Sequence, residues 1–526
     1  MKFKHIDNLE KATRKGKLES LRMGICFTFL LGVMLYTNSL GLDVENGLLL
    51  AIAAVIGGYM AINIGANDVA NNIGPSVGSH AITMGGALMI AAIFEAAGAL
   101  IAGGEVVATI KDGIINPVGI ADTRVFVWLM MAALLASALW LNIATAVGAP
   151  VSTTHSIVGA VLGAGVAAAG WEAVNWHTIS GIGISWIISP VLGGIVAAGL
   201  LYFIKRYITY QTDMLTAAVK TVPFLVALMA WTFTTYLMLK GLNKVWPVSV
   251  EFSLIAGFIV SLVVFLLLRP FLKQRMARYE NSKEGVNQFF TIPLIFSAAL
   301  LSFAHGSNDV ANAVGPLAAI THALVGNTEL TDKVDIPFWV MIIGALGISL
   351  GLALFGPKLI RTVGSEITEL DKTRAYCIAM ASALTVIIAS QLGLPVSSTH
   401  IAVGGVFGVG FLREYLKANY ARMEDEIRAH HSEDDLVAIN VFLASFKSAP
   451  LEQKGMMLKE LKMQARLKLD PANFSKPERK GMKKFYRREL VKRSLLKRII
   501  AAWLITVPAS ALMATGIFYL LLNIVG

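Results

Sequence analysis

Two asparagine–aspartate pairs stand at the ends of apolar runs: Asn67-Asp68, followed by Val69-Ala70-Asn71-Asn72, and Asn308-Asp309, followed by Val310-Ala311-Asn312. A carboxylate at membrane depth is costly and marks an ion pathway or a binding site by default. Glycines and prolines flank both pairs (Gly65, Gly74, Pro75; Gly306, Gly315, Pro316) and are expected to interrupt the helices. An interrupted helix frees backbone carbonyls that a partner or lining water must satisfy. Asp68 and Asp309, with the side chains of Asn72 and Asn312, then offer an all-oxygen shell suited to a hard cation such as Na⁺. The plainer alternative is a broken helix stapled by Asn and Asp bonds to its own backbone; two related copies weigh against it.

A second pair of motifs, Pro150-Val151-Ser152-Thr153-Thr154-His155 and Pro395-Val396-Ser397-Ser398-Thr399-His400, reads as two helix starts. Proline and hydroxyl residues suit a first turn, where backbone N–H groups lack intrahelical partners. Such an end attracts anions through its amides and dipole. The hydroxyls of Ser152, Thr153, Thr154, Ser397, Ser398 and Thr399 add donors, and two such ends facing each other would encircle a tetrahedral oxyanion. Ordinary capping and small-residue packing is the alternative. His155 and His400 could titrate or donate to the anion, although neutral histidines satisfied in a helix bundle are the simpler reading. Glu95, mid-span among alanine and glycine, is a further buried carboxylate and is read as ion-coupling. No Lys or Arg occurs between Arg22 and Gly104 or between Arg124 and Tyr202. An anion bound there needs co-bound cations to neutralise it.

The elements that hold these motifs are membrane helices. Of the 526 residues, 56% are AVILMFWYC and only 15% are charged, against ~25% charged in soluble domains. That excludes a water-soluble globule. Apolar runs of ~20 residues, enough to cross a bilayer, predict about 12–13 crossings. Cys26 and Cys377 lie inside apolar runs and read as packed thiols rather than a disulfide. The net charge of +11 is concentrated in residues 413–498, which hold 21 Lys/Arg against 12 Asp/Glu. The bias of Lys and Arg toward the cytoplasm assigns this insertion, the N-terminal segment and the stretch Arg269–Glu284 to that side. The cell membrane, plasma or inner, is the expected location. A solvated module near anionic lipid explains the basic insertion better than nucleic-acid binding.

The chain also repeats itself. The Asn-Asp motifs recur at an offset of 241, and the hydroxyl motifs at 245, as do Ala136-Ser137-Ala138-Leu139 and Ala381-Ser382-Ala383-Leu384. Charge bias places the start of the first copy outside and that of the second inside. The expected fold is therefore an all-α polytopic membrane protein built as an inverted-topology repeat with broken or re-entrant helices, the architecture of secondary transporters. The boundaries follow: 1–47, the N-terminus and first membrane helix; 48–178, repeat 1; 179–284, linking helices; 285–412, repeat 2; 413–498, the basic cytoplasmic insertion; 499–526, the final helix.

Gly65-Ala66-Asn67-Asp68-Val69-Ala70-Asn71, the second Asn-Asp-Val-Ala-Asn and the paired Pro-Val-Ser-(Thr/Ser)-Thr-His motifs resemble the inorganic phosphate transporter (PiT) family, sodium–phosphate symporter type. The resemblance spans roughly residues 48–170 and 285–412, with four motifs in order. It implies inward symport of inorganic phosphate with Na⁺, or with H⁺ in a more divergent branch, and no resident cofactor. It implies that Asp68, Asp309 and their asparagines (Asn67, Asn72, Asn308, Asn312) contribute to ion and substrate binding, with the hydroxyl motifs on phosphate. Asn67 and Asn308 are assigned to phosphate, and Asn72, Asn312 and Glu95 to Na⁺; Glu95 matches the family's buried glutamate of the first repeat. Where many relatives carry a second glutamate, this chain has Ala379-Met380. Membrane lipids and a homodimer are the remaining expected partners, with no nucleic acid.

Rival readings are weaker. A hydrolase needs an orienting acid beside Ser-Thr-Thr-His or a zinc motif, and the sequence has neither. A channel needs no carboxylates beside broken helices. A proton-coupled phosphate or sulfate permease of the same family remains the alternative.

Overall fold

A computed structural model of the chain describes residues 2–116, 120, 122–147, 151–244, 246–325, 335–366, 370–417, 433–448, 456–461, 463 and 493–525. Among these, helices account for the ordered backbone, and a lone antiparallel bridge, Ile115–Val174, is the sole β pairing. In chain order the helices are α1 (Lys2–Asn38), α2 (Val44–Gly78), α3 (Met84–Ala102), α4 (Gly104–Asp112), α5 (Thr123–Ala146), α6 (Thr153–Ala169) and α7 (Trp176–Ile204). A hairpin of α8 (Met214–Lys240) and α9 (Val250–Met276) follows. Then come α10 (Lys283–Phe289), α11 (Thr291–Asp309), α12 (Ala311–Val325), α13 (Phe338–Glu366), α14 (Lys372–Gln391), α15 (Ser398–Lys417), α16 (Glu433–Ser448) and α17 (Arg493–Val525). Side-chain caps start many of them: Asp43, Thr83, Asp122, Asn175, Asp213, Ser249 and Asp371 each accept from an amide in the first turn.

The chain forms two compact units, Met1–Gly408 with Lys497–Gly526, and Val409–Leu496. In the smaller unit, α16 buries Ile439, Leu443 and Phe446 along one face, and Leu461 is buried as well. Within the basic insertion, residues 433–448 and 456–461 are helical, and most of the remainder lies outside the described residues. Cys26 and Cys377 are both free thiols.

Ten described helices are long and apolar enough to cross a membrane, and α10 with the α11–α12 run, bent by 47°, makes an eleventh. The count is lower than the 12–13 expected because the helices of the two hydroxyl motifs, α6 and α15, fall outside it; α6 is apolar but only 17 residues long.

The Asn-Asp motifs correct a second expectation. In the first copy α2 runs unbroken from Val44 to Gly78 with Pro75 inside it, and in the second a single residue, Val310, separates α11 from α12. Gly65 and Gly306 do not break helices; they let helices touch. A methyl group on Gly306 would overlap the backbone carbonyl of Glu95 in α3, and one on Gly65 would overlap the carbonyl of Ile348 in α13. In turn Gly98 of α3 lies against the Phe303 carbonyl and Gly351 of α13 against that of Ile62. The same crossing is built twice, which makes α3 and α13 equivalents, with Glu95 matched to Ile348 and Gly98 to Gly351.

A further pair of equivalents closes the bundle. α7 packs on α15, with the Pro190 carbonyl against Gly404 and that of Gly194 against Gly408. α17 packs on α6 in the same way, Val507 against Gly159 and Ala511 against Gly163. Each then sends a tryptophan to the opposite repeat. Trp186 of α7 stacks on His155 at 3.7 Å between ring centroids, and Trp503 of α17 stacks on His400 at 3.5 Å. The two histidines meet at 4.3 Å, completing a column of four rings.

Candidate functional site

Asp68 collects hydroxyls from both repeats. Its Oδ2 accepts from Thr153 of α6 at 2.9 Å and its Oδ1 from Thr399 of α15 at 3.1 Å. Asn71, one turn on along α2, donates to the same Thr399 hydroxyl at 2.8 Å. Asn312 of α12 makes the reciprocal contact, donating to the hydroxyls of Thr153 and Thr154 at 3.2 Å each. The two hydroxyl helices are thereby interlocked with the two Asn-Asp helices. Asp309 accepts at Oδ2 from Ser398 at 2.9 Å, the counterpart of the Thr153–Asp68 bond. All of these side chains are buried.

His305 joins the cluster from α11. Its Nε2 stands 2.8 Å from Asp309 Oδ2 and 3.7 Å from Asp68 Oδ2, and its Nδ1 is 3.3 Å from Glu95 Oε2. These are ion-pair distances, although the ring is not aligned to make good hydrogen bonds with any of the three. Glu95 also accepts at Oε1 from Asn72 at 2.8 Å. One imidazole is thus ringed by three buried carboxylates. One ligand atom each from Asp68, His305 and Asp309 lie within 4.8 Å of one another.

The oxygens left over match the chemistry of a hard cation. Asp309 Oδ1, Glu95 Oε2, Asn72 Oδ1 and Asn312 Oδ1 are buried and have no hydrogen-bond donor. Pro75 and Pro316 lack an N–H, so the backbone carbonyls of Asn71 and Asn312, one turn before each, lose their helical partners. Buried acceptors without donors cost free energy unless a cation or proton meets them.

The repeats are not chemically equal here. At the 241 offset His305 corresponds to Ile64, and by packing Glu95 corresponds to Ile348; both isoleucines are fully buried. One half carries an acid and an imidazole where the other carries two hydrocarbons.

The expected site residues divide into two groups. Asp68, Asp309, Asn72, Asn312, Glu95, Thr153, Thr154, Ser398 and Thr399 converge in the contacts above, with Thr154 donating to the Val396 carbonyl at 2.9 Å. Ser152 and Ser397 are N-caps, accepting from the amides of His155 at 3.1 Å and His400 at 3.2 Å. Asn308 staples a loop: it donates to Ser390 at 3.0 Å and the Leu394 carbonyl at 3.1 Å and accepts from the Val396 amide at 3.2 Å. Asn67 does the same. With its amide turned to suit its neighbours, it accepts from Thr145 at 3.0 Å and donates to the Val151 carbonyl and Asp68 Oδ1, both at 3.1 Å. Ser152 and Ser397 make the capping bonds of an ordinary helix start, whereas Asn67 and Asn308 bond to neighbouring segments rather than to their own backbone. His155 and His400 spend their rings on each other and on the two tryptophans; His155 Nδ1 also lies 2.7 Å from Ser152 Oγ.

His305, Asn71, Trp186 and Trp503 escaped the sequence reading. His305 carried a signal: it is an ionisable residue in an apolar run that breaks the repeat, since Ile64 stands in its place. The tryptophans carried one too, in Trp186-Ile187-Ile188-Ser189-Pro190 and Trp503-Leu504-Ile505-Thr506-Val507-Pro508.

A buried carboxylate–hydroxyl cluster at the crossing of two related sets of apolar helices defines a polytopic membrane transporter. The sequence model of the phosphate transporter family matches residues 64–514, and the chain belongs to that family. A Helicobacter pylori protein provisionally named a phosphate permease is 52% identical over 528 residues, covering 98% of each chain. One of Haemophilus influenzae, named likewise, is 40% identical over 69% of this chain and 87% of its own. A solved structure titled "The sodium-dependent phosphate transporter" superimposes with a TM-score of 0.73 at 31% identity, over 91% of this chain and all of that one.

Proposed function

We propose that this phosphate transporter imports inorganic phosphate by Na⁺ symport with alternating access, from a cell membrane in which the N-terminus and residues 413–498 face the cytoplasm. The observation that carries the reading is the convergence of Thr153 and Thr399, one from each repeat, on the single carboxylate of Asp68. These hydroxyls are the donors an oxyanion needs, and Asp68 holds them. A Na⁺ ion on Asp68, Asp309 and the donorless oxygens of Asn72, Asn312 and Glu95 would draw on the carboxylate lone pairs and release the hydroxyls to phosphate. Cation and anion binding then support each other, because neighbouring opposite charges in a poorly solvated site attract by several kcal/mol even at an effective dielectric of about 20. The empty and fully loaded carriers reorient; a partly loaded one, carrying an uncompensated charge, does so poorly.

Phosphate is favoured over sulfate by the same carboxylates. Phosphate near neutral pH keeps a P–OH donor that a carboxylate can accept, whereas sulfate has none and would leave a buried acceptor facing an anion.

The test is ³²P-phosphate uptake into proteoliposomes under an imposed Na⁺ gradient, compared with an H⁺ gradient and with excess sulfate. Na⁺-driven uptake indifferent to sulfate is the expected result. Uptake driven by H⁺ alone would overturn Na⁺ coupling, and inhibition by sulfate with little phosphate transport would overturn the substrate.

A further inference from the structure

We infer that the groove between the α8–α9 hairpin and helices α3 and α11 is a binding site for one anionic phospholipid of the leaflet at the basic end of the hairpin. The groove has a volume of about 550 Å³ and is walled by Phe94 of α3, Phe233 of α8, Val264, Leu268 and Phe271 of α9, and Phe296 of α11, with Thr234 the one polar side chain along it. It opens outward, since Leu267 and Phe296 on its border are 69% and 59% exposed. The hairpin meets the repeats beyond it through few contacts, among them the Phe233–Phe303 ring pair and the hydrogen bond from Tyr236 to Ser307. A groove this apolar gains nothing from water, and in a bilayer the available filler is an acyl chain.

Depth and charge select the occupant. The α9 stripe that borders the groove runs from Val260 to Phe271, a rise of about 16 Å at 1.5 Å per residue. That is close to half of a ~30 Å hydrocarbon core, the length of one leaflet's chains. One turn further on the same stripe, at headgroup depth, the Arg275 guanidinium lies 4.5 Å over the Phe271 ring. A smaller hollow of about 380 Å³ at this end is bordered by Lys220, Arg269 and Lys273, which deepen the positive field. Asp213, the N-cap of α8, offsets part of that charge. The groove therefore presents an apolar slot one leaflet deep that ends in a cation, and a phosphate-bearing anionic lipid complements both parts. Bound there, the lipid would wedge the hairpin against the repeat helices that carry Glu95 and His305.

The experiment uses the full-length protein, delipidated in detergent and offered dioleoyl phosphatidylglycerol or phosphatidylcholine, with retained lipid counted by native mass spectrometry. One phosphatidylglycerol should be retained at least threefold more than phosphatidylcholine, and excess sodium phosphate should not displace it. R275Q should lose the preference, R275K should keep it, and L268W, which fills the slot, should retain neither lipid. Equal retention of the two lipids by the unmodified protein would overturn the inference. So would an undiminished preference in R275Q, or displacement by sodium phosphate, which would assign the arginine to the free anion.

Discussion

His305 Nε2 lies 2.8 Å from Asp309 Oδ2, and the same ring reaches Glu95 Oε2 with Nδ1 at 3.3 Å, so one imidazole ties an aspartate of the second repeat to the glutamate of the first. No such tie exists at the equivalent position, where Ile64 and Ile348 stand. The two halves are related in backbone and unequal in charge, and the expected phenotypes follow from that inequality.

Replacing His305 with Ala leaves three buried carboxylates without their shared partner. A buried carboxylate left without its partner costs about 1–3 kcal/mol, which corresponds to a drop in uptake of about 5- to 150-fold. The half-saturating Na⁺ concentration should move with it, since the cluster that would hold the cation is disturbed. Uptake measured against Na⁺ concentration checks both; an unchanged curve would remove His305 from the site.

Asp68→Ala should abolish phosphate uptake while the protein still inserts and elutes as a single species. Its carboxylate is the acceptor for Thr153 and Thr399 together. Asp309→Ala should do the same. Retained wild-type uptake in either variant would contradict the proposed mechanism.

Gly306→Ala places a methyl group on the Glu95 carbonyl and Gly65→Ala places one on that of Ile348, both rigid backbone. Overpacking of this kind costs about 1–3 kcal/mol. Gly85→Ala, in the first turn of α3 with open space around it, should be neutral or gain a few tenths of a kcal/mol up to about 1 kcal/mol. Thermal unfolding midpoints of the three variants in detergent separate these outcomes.

Trp186→Ala and Trp503→Ala each remove one end of the four-ring column. Both tryptophans are partly buried, so each loss should fall below the about 3–5 kcal/mol of a fully buried tryptophan, and Trp186, whose Nε1 also donates to the Pro395 carbonyl, should lose more than Trp503. Because His155 and His400 touch each other at the centre, the double variant should lose less than the sum. Additive losses in a double-mutant cycle would mean that the column does not act as a unit.

Much of the architecture was legible from the residues. The apolar excess, the two motif pairs and their offsets are properties of covalent order, and a duplicated set of helices carries them into space. The roles of Gly65 and Gly306 were not legible, because a glycine that breaks a helix and one that admits a neighbouring helix look alike in a string; the carbonyl that decides between them belongs to another helix. Ser152 and Ser397, expected with their neighbours to donate to the anion, accept at their N-caps from the amide three residues on, a local bond that the helix start itself dictates.

The sequence by itself determined that this is a duplicated membrane protein and which residue types stand near its two helix crossings, since hydropathy and repetition act over a few turns of chain. Tertiary structure alone decided who meets whom. Thr399 reaches Asp68 across 331 residues, and Asn312 reaches Thr154 across 158. The offset between equivalent residues grows from 245 for the histidines to 317 for the tryptophans, because the basic insertion lies between α15 and α17. Contacts over such separations are set by the packing of whole helices against one another, and no local pattern records them.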